Sequence, residues 1–382
     1  MFNDFHLRLV NPDFGNPMTA NIVELEAMRK RLRGSTSPEL FFDLKYIFQM
    51  MESFGSSRIE GNRTTIADLI DAEIEGDGAG GEKLLEIRNI QTAAQYVEQE
   101  IEPGGEITHT IIQNIHRLIV DGLVDEGDPT PGAYRRVGVR IARSDHTPPS
   151  HVAVRGYLDE LLQFIHADDG SQYAVIRTAL AHHRFAWIHP FRNGNGRVVR
   201  ILHYAMLIQQ DFTLAKAGII NPSAVFFADR ELYYDMLSEG DKGTDEGLLT
   251  WTQYVVGGLQ GEMGKIEKLL DHEYLKNNVL VPAIKTCVTR GDIGKEEEKI
   301  LLLAVEQQVI AAKDVQKQLP DLTYQTVLRR VKSLRDKGLL ESSVHKSRCY
   351  RIQFSNNKLM RSVVSQLRSE GFFSGLKDDA ND

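Results

Sequence analysis

The chain reads as a mainly α-helical protein with a small helix-and-strand module at its C-terminal end. Three observations predict this. Apolar residues recur at spacings of three and four over most of the first 290 positions. Alternation with a period of two is confined to one short stretch, where Val137, Val139 and Ile141 fall on one side. The charge balance also changes sign near Arg290. From there to Asp382 there are 17 Lys and Arg against 13 Asp and Glu, in a chain whose net charge is −8. Such a shift marks a separate module.

Composition sets further bounds. A length of 382 residues corresponds to about two or three domains. With 42% hydrophobic and 26% charged residues, usage is ordinary for a globular protein. Cys287 and Cys349 stand far apart without a CxxC spacing. No disulfide framework or cysteine zinc site is expected, and the compartment should be reducing. Residues 1–6 carry no basic segment leading into an apolar run, and no stretch nears 18 consecutive apolar residues. The expectation is a cytoplasmic chain without membrane spans. Its negative charge argues against generic polyanion binding.

The elements follow in order. Leu40, Leu44, Ile47, Met51 and Phe54 step by four and three, which predicts a helix over 40–59 that stops at Glu60-Gly61-Asn62. Residues 65–75 predict another. Gly76-Asp77-Gly78-Ala79-Gly80-Gly81 matches GxGxxG literally, but the acidic residues 71–75 stand where a dinucleotide site needs an apolar strand. No GxxxxGK[ST] occurs either. Helices are expected over 84–100 and 108–121, the second capped by Thr108. A short strand falls within 134–143, closed by Thr147-Pro148-Pro149-Ser150. Helices return over 154–166, 172–187, up to Gln210, 228–239, 248–271 and 274–289. In the C-terminal part, Ile300, Leu301, Ala304 and Val305 form one stripe and residues 311–319 a short second helix. Thr323 caps a third helix carrying Val327, Val331 and Leu334. Gly338 then leads to strands at Val344 and 349–352. This order looks like a winged helix. Its third helix offers Arg329, Arg330, Lys332, Arg335 and Lys337 for contact with DNA or with protein.

The most informative segment is His189-Pro190-Phe191-Arg192-Asn193-Gly194-Asn195-Gly196-Arg197-Val198-Val199-Arg200. Its glycines permit positive φ and close approach of a ligand. They open a helix, whose unpaired N–H groups and dipole form an anion site suited to phosphate. Arg197 and Arg200 lie three apart, share a helix face and lean back toward that site. His189 precedes the loop, and an imidazole with an ordinary pKa near 6.5 accepts a proton at neutral pH. Base, phosphate cradle and two arginines describe phosphoryl or nucleotidyl transfer. The alternative is a glycine-rich turn whose arginines pair with carboxylates. His182 and His183 diverge by about 100° on one helix, and no acid lies between 182 and 189, so no metal cluster is expected. Phe185 and Trp187 belong to the core.

The segment resembles the Fic family signature HPFx[D/E]GNGRxxR at every fixed position but one, since Asn193 stands where the family has an acid. Pro131-Gly132-Ala133-Tyr134-Arg135, the strand at 137–141 and Thr147-Pro148-Pro149 resemble the family's flap. Tyr233-Tyr234-Asp235-Met236-Leu237 resembles its tyrosine-bearing helix, with Tyr234 at the nucleotide. The resemblance implies a helical core over 90–260 with a short β-hairpin flap. An N-terminal helical region (1–89) precedes it; connecting helices (261–294) and the winged helix with its tail (295–382) follow. It also implies transfer of AMP from ATP to a Ser, Thr or Tyr hydroxyl of a target protein aligned by the flap strand. His189 would be the base, and Gly194, Asn195 and Gly196 the phosphate nest. Arg197 and Arg200 would be the phosphate clamps, Phe191 the loop anchor and Asn193 a neutral substitute at the Mg²⁺ position. A homo-oligomer is compatible with it.

Ser56-Ser57-Arg58-Ile59-Glu60-Gly61-Asn62 fits [S/T]xxxE[G/N]. Alone it is a helix end, with Glu60 exposed and Gly61 as the left-handed cap. Beside the signature it resembles the family's inhibitory motif, in which Ser56, Glu60 and Gly61 take part and Glu60 pairs with Arg200. The implied protein is an autoinhibited protein adenylyltransferase. Two alternatives stand beside it. One is a DNA-binding regulator with a degenerate nucleotide-binding core, which Asn193 favours. The other is a different nucleotidyl transfer, or AMP removal, on the same fold.

Overall fold

The computed structural model describes residues 2–31, 36, 38–75, 81–142, 144–212, 223–343, 348–355, 357–373 and 375–376. The N-terminal part comprises α1 (Pro17–Arg31), α2 (Pro38–Ile59) and α3 (Ile66–Glu75). Next come α4 (Glu82–Glu100), α5 (His109–Ile119), α6 (Val154–His166), α7 (Ala174–Ile188) and α8 (Asn195–Gln209). The chain continues through α9 (Ala224–Phe227), α10 (Arg230–Gly240), α11 (Asp245–Leu270), α12 (His272–Tyr274) and α13 (Val281–Arg290). The last part is α14 (Lys295–Gln307), β1 (Ile310–Ala311), α15 (Ala312–Gln318), α16 (Tyr324–Asp336), β2 (Leu340–Ser342), β3 (Cys349–Ile352) and α17 (Lys358–Ser369).

Helices α7 and α8 pack against each other at the centre. Helices α4 and α5 cover α8, α6 covers α7, and α11 bridges α7 to α1 and α10. Their apolar faces meet in one core that includes Ile112, Ile115, Ile119, Leu158, Leu161, Phe185, Phe191, Val198 and Leu202. Helix α8 is buried nearly all round, its arginines included. The loop between α7 and α8 is therefore anchored at both ends by buried helices, which suits a site that must hold its groups in place.

A second core begins at α1 and α2, runs through α11 and α13, and continues into the C-terminal part at Leu301, Val315, Val331, Leu340 and Phe354. There the order helix, strand, helix, helix, strand, strand is that of a winged helix. The sheet order is β1-β3-β2, both pairings antiparallel, with Ile310 opposite Tyr350 and Leu340 opposite Ile352. Thr323 caps α16 by accepting from Thr326 N at 3.3 Å, and Thr108 caps α5 by accepting from Ile111 N at 3.3 Å.

Two local expectations differ from what is found. Residues 137–141 form no strand. A strand needs a ladder partner, and the described residues of 131–149 around it are irregular, so Val137 is left 46% exposed. Helix 274–289 is interrupted by a π turn over Leu275–Leu280. Pro282 lacks the N–H that α-helical pairing there needs, and the widened turn absorbs the defect. Helices α1 and α17 were not expected. The GxGxxG loop lies outside the described residues except for Gly81, and so does Val344. Among the described residues no helix is long and apolar enough to cross a membrane.

Candidate active site

The site is built where three helix ends meet. Helix α7 ends at Ile188, and His189 turns the chain with φ 50° and ψ 61°. This left-handed conformation costs a non-glycine residue about 1 kcal/mol. Arg135 holds the turn. Its Nε donates to the His189 carbonyl at 2.8 Å, Nη2 to Pro149 O at 2.6 Å and Nη1 to Val137 O at 3.0 Å. One buried guanidinium thus ties the end of α7 to the segment expected as the flap. Burial pushes the half-buried His189 imidazole down to about 4, against an opposing hydrogen bond to Ala186 O. The ring is therefore neutral at physiological pH, the form that accepts a proton.

The loop after His189 is closed from within. Asn195 Oδ1 accepts from Phe191 N and its Nδ2 donates to Phe191 O, both at 2.9 Å. The Phe191 ring is fully buried and stacks on His116 with centroids 3.8 Å apart. Asp128 Oδ2 accepts from Arg192 N at 3.2 Å and Asn193 N at 3.3 Å, while Oδ1 accepts from Thr130 N at 2.8 Å. Burial alone would raise the Asp128 carboxyl pKa, but these N–H groups and the Thr130 hydroxyl outweigh it and hold it below the usual value. Asp128→Ala would leave those donors without their acceptor. The expected cost is about 1–3 kcal/mol of unfolding free energy, read from denaturant melts.

Gly194, at φ 75°, precedes α8. The first N–H groups of α8 have no intrahelical acceptor, as at any helix start. Gly196 lies in that first turn, and a Cβ there would sit 2.2 Å from Glu60 Oε1 and 3.2 Å from Arg200 Nη1. Glycine is thus required for Glu60 to reach the helix end. Glu60 closes α2. Gly61 N donates to Arg58 O and Asn62 N to Ser57 O, the paired bonds of a Schellman stop, with Gly61 at φ 99°. Arg200 is 1% exposed. Its Nε donates to Ser56 Oγ at 2.7 Å, and its Nη2 to Ser56 O at 3.0 Å and Glu60 Oε1 at 2.7 Å. Burial works to raise the Glu60 carboxyl, but Arg200 and then Arg197 overcome it and hold it below its ordinary pKa. Glu52, two turns earlier on α2, is pushed up to about 8 by burial although it accepts from Ser223 N. Glu60 rather than Glu52 therefore carries the charge that faces Arg200.

These groups line a cavity of about 400 Å³ together with Arg230, Tyr234 and Asp241. Tyr234 donates to Ile59 O at 3.4 Å, and the Arg230 guanidinium lies 5.4 Å from the centre of the Tyr234 ring. A second, more open groove of about 590 Å³ runs by Phe5, His6, Tyr157 and Arg184 and contains none of them.

The structure brings His189, Asn193, Gly194, Asn195, Gly196, Arg200, Tyr234 and Glu60 to one cavity and leaves other expected residues out. Arg197 does not line it. Its guanidinium is buried and paired with Glu86 at 3.1 Å and Glu126 at 3.5 Å, so the alternative of arginines paired with carboxylates holds for Arg197. The Asn195 side chain braces the loop. Gly61 serves the turn and has open space around it. His182 and His183 face Tyr233 and Asp241. Asn193 Oδ1 already accepts from Gly194 N at 2.7 Å, and among the described residues no three His, Cys, Asp or Glu could hold a metal. This donor set does not fit a protein-held Mg²⁺. Sequence reasoning missed Asp128, whose Gly127-Asp128-Pro129-Thr130 context signals an Asx turn. It also missed Arg230, for which no sequence signal existed.

Residues 106–207 match the Fic/DOC family. The chain contains a Fic domain. Residues 293–378 match the penicillinase repressor family, over the winged helix. The protein adenylyltransferase Fic of Nematostella vectensis is 28% identical over 198 residues, covering 50% of this chain and 43% of that protein. Its counterpart in Drosophila ananassae is 28% identical over 191 residues, covering 48% and 35%. The chain thus spans less than half the length of these relatives. Among solved structures, a Fic family protein from Desulfovibrio desulfuricans G20 matches 90% of this chain and 98% of its own, with TM-score 0.56 and 19% identity. A Fic domain containing signaling protein from Bacteroides thetaiotaomicron VPI-5482 matches 65% and 96%, with TM-score 0.53 and 20% identity. The likeness to these two is one of fold. The Fic match begins after Glu60 and ends before Arg230, so neither residue belongs to the matched segment.

Proposed function

We propose that the cavity is an autoinhibited adenylyl-transfer site. One observation carries this reading: the Glu60 carboxylate sits over Gly196 at the N-terminal end of α8, 2.7 Å from Arg200. A helix N-terminus flanked by a buried arginine is a phosphate seat, and here a carboxylate of the same chain fills it. In the proposed reaction a target hydroxyl gives its proton to neutral His189. Its oxygen then bonds to the α-phosphorus of ATP, and the bond from that phosphorus to the bridging oxygen breaks, releasing diphosphate. Arg200 and the α8 N–H groups stabilise the leaving phosphates once Glu60 withdraws. Any Mg²⁺ enters with the nucleotide rather than from a protein cage. The test is incubation with ATP labelled at the α- or the γ-phosphorus. Label on protein from the α position alone, with diphosphate released, supports the reading. Label from the γ position would make the protein a kinase. Absence of label from either in Glu60→Gly would favour the regulator with a degenerate core.

Arg230 is assigned here as a second phosphate contact, because it faces the cavity and acts on Glu60. Arg230→Ala is expected to raise the KM for ATP about tenfold, in line with a charge-assisted bond of about 1.5 kcal/mol. Steady-state kinetics in the Glu60→Gly background checks this.

For the winged helix we favour a protein partner over DNA. On α16, Tyr324 is 52% and Leu328 42% exposed beside Arg329 and Lys332. Of the five basic residues expected to contact phosphate, Arg330 pairs with Glu296 at 2.8 Å and Lys337 with Glu297 at 2.6 Å, while Arg335 stacks over Tyr350.

A further inference from the structure

Helix α2 is one unbroken rod of 22 residues, about 33 Å long. Two different parts of the molecule hold its ends. At the C-terminal end, Ser56 and Glu60 hold Arg200 of the Fic domain. Near the N-terminal end, Glu39 and Asp43 are buried, at 3% and 4% exposure, against the winged helix. The contact centres on Arg351 of β3. Its Nη1 donates to Asp43 Oδ2 at 2.8 Å, its Nε lies 3.5 Å from Glu39 Oε2, and its Nη2 pairs with Glu341 of β2. The Ser343 hydroxyl donates to Glu39 at 2.9 Å and the Ser355 hydroxyl to Asp43. One turn on, Phe48 lies against Phe372 and Phe373, with centroids 6.0 and 5.0 Å apart. Arg361 of α17 also pairs with Asp71 of α3.

We propose that the winged helix regulates the transfer site by gripping α2: Arg351, by holding Glu39 and Asp43, keeps Glu60 seated on Arg200 at the other end of the same rod. This rests on the reading of Glu60 as the inhibitory carboxylate. A buried cluster of one arginine and two carboxylates is an inefficient way to gain stability but a good way to fix position. A continuous helix carries a tilt at one end to the other, because its hydrogen-bonded backbone does not bend sharply without a defect. Glu60 directly follows that rod and is hydrogen-bonded by one guanidinium, that of Arg200, so its seat is the more easily lost of the two. A protein partner that pulls β3 away from α2 would shift the population toward an open seat. By linkage, a nucleotide that displaces Glu60 would loosen the grip of the winged helix by the same factor. Arg351 is a positioning residue, far from the reacting atoms.

The test uses the full chain with α-labelled ATP and compares wild type, R351M, E60G and R351M/E60G. R351M should transfer at least about threefold faster than wild type and no faster than E60G. The double variant should equal E60G, because a seat that no longer exists cannot be loosened. Hydrogen exchange supplies a readout independent of transfer: the amides of residues 50–60 should exchange faster in R351M. Where R351M does not fold, D43N reads the same contact with little change of shape. If E60G is active while folded R351M stays at the wild-type rate with unchanged exchange over 50–60, the grip is refuted. If E60G itself is inactive, the reading of the site has failed, and the exchange data alone decide whether Arg351 controls α2.

Discussion

Glu60→Gly is expected to raise the rate of AMP transfer at least about tenfold. On the proposed reading, Glu60 and a nucleotide phosphate compete in the wild type for one guanidinium and one helix end. The pair is short, at 2.7 Å, and Arg200 is 1% exposed, so solvent screens it poorly. Only about 1.4 kcal/mol of preference for the closed seat gives a tenfold effect. Arg200 keeps its two bonds to Ser56 after the substitution, so the clamp remains oriented. Adding Arg200→Ala should abolish the gain. The substitution also removes a side chain at a helix end already stopped by Gly61, and a small loss of thermal stability is expected beside the gain. Initial rates at saturating nucleotide decide the matter. Equal rates for wild type and Glu60→Gly would reduce residues 56–62 to a helix end.

His189→Ala, in the Glu60→Gly background, is expected to lower the transfer rate by about 10²–10⁴-fold. Nucleotide affinity should hardly change, because the phosphate seat belongs to α8 and Arg200. The backbone of His189 carries the structural contacts, through its N–H to Phe185 and its carbonyl to Arg135. The variant should therefore fold. The pH profile adds a second check. Burial holds the imidazole pKa near 4, so the base is already neutral through the physiological range. The rate should be flat from about pH 6 to 8, without the inflection near 6.5 that an ordinary histidine gives. Glu60 acts to raise that pKa, so its removal moves the acid limb lower. An inflection near 6.5 would mean that the ring is more solvated than its position between α7 and the flap segment implies.

How much was legible in the sequence follows from which contacts are local. The loop leading into α8 was readable because Pro190, Gly194 and Gly196 stand close together in sequence, and the stop of α2 at Glu60 because Gly61 follows it directly. The helical architecture was readable from spacings such as Leu40, Leu44, Ile47 and Met51, all nearly unexposed in the structure. Helix α1 was hidden by its polar composition, although Asn16-Pro17 and the spacing Met18, Ile22, Leu25, Met28 mark it in retrospect. The partners of Arg197 were illegible: Glu86 and Glu126 lie far away in sequence, and nothing local distinguishes an arginine that faces phosphate from one that faces acids. Asp128 and Arg135 share that difficulty, since each acts across the fold on a loop that carries no trace of it, and Arg230 acts across the fold on Glu60. The strand at 137–141 failed for the opposite reason. Its alternation is real, but a strand is a property of two segments, and the second is lacking among the described residues.

On the proposed reading, Glu60 occupies a phosphate seat and so holds off His189-dependent adenylyl transfer. The most direct test measures incorporation of α-labelled AMP by wild type, Glu60→Gly and Glu60→Gly/His189→Ala, side by side on the full chain. The expected rates are, in that order, low, raised at least about tenfold, and returned to background. Equal incorporation by all three would contradict that reading, and so would a gain in Glu60→Gly that survives the loss of His189.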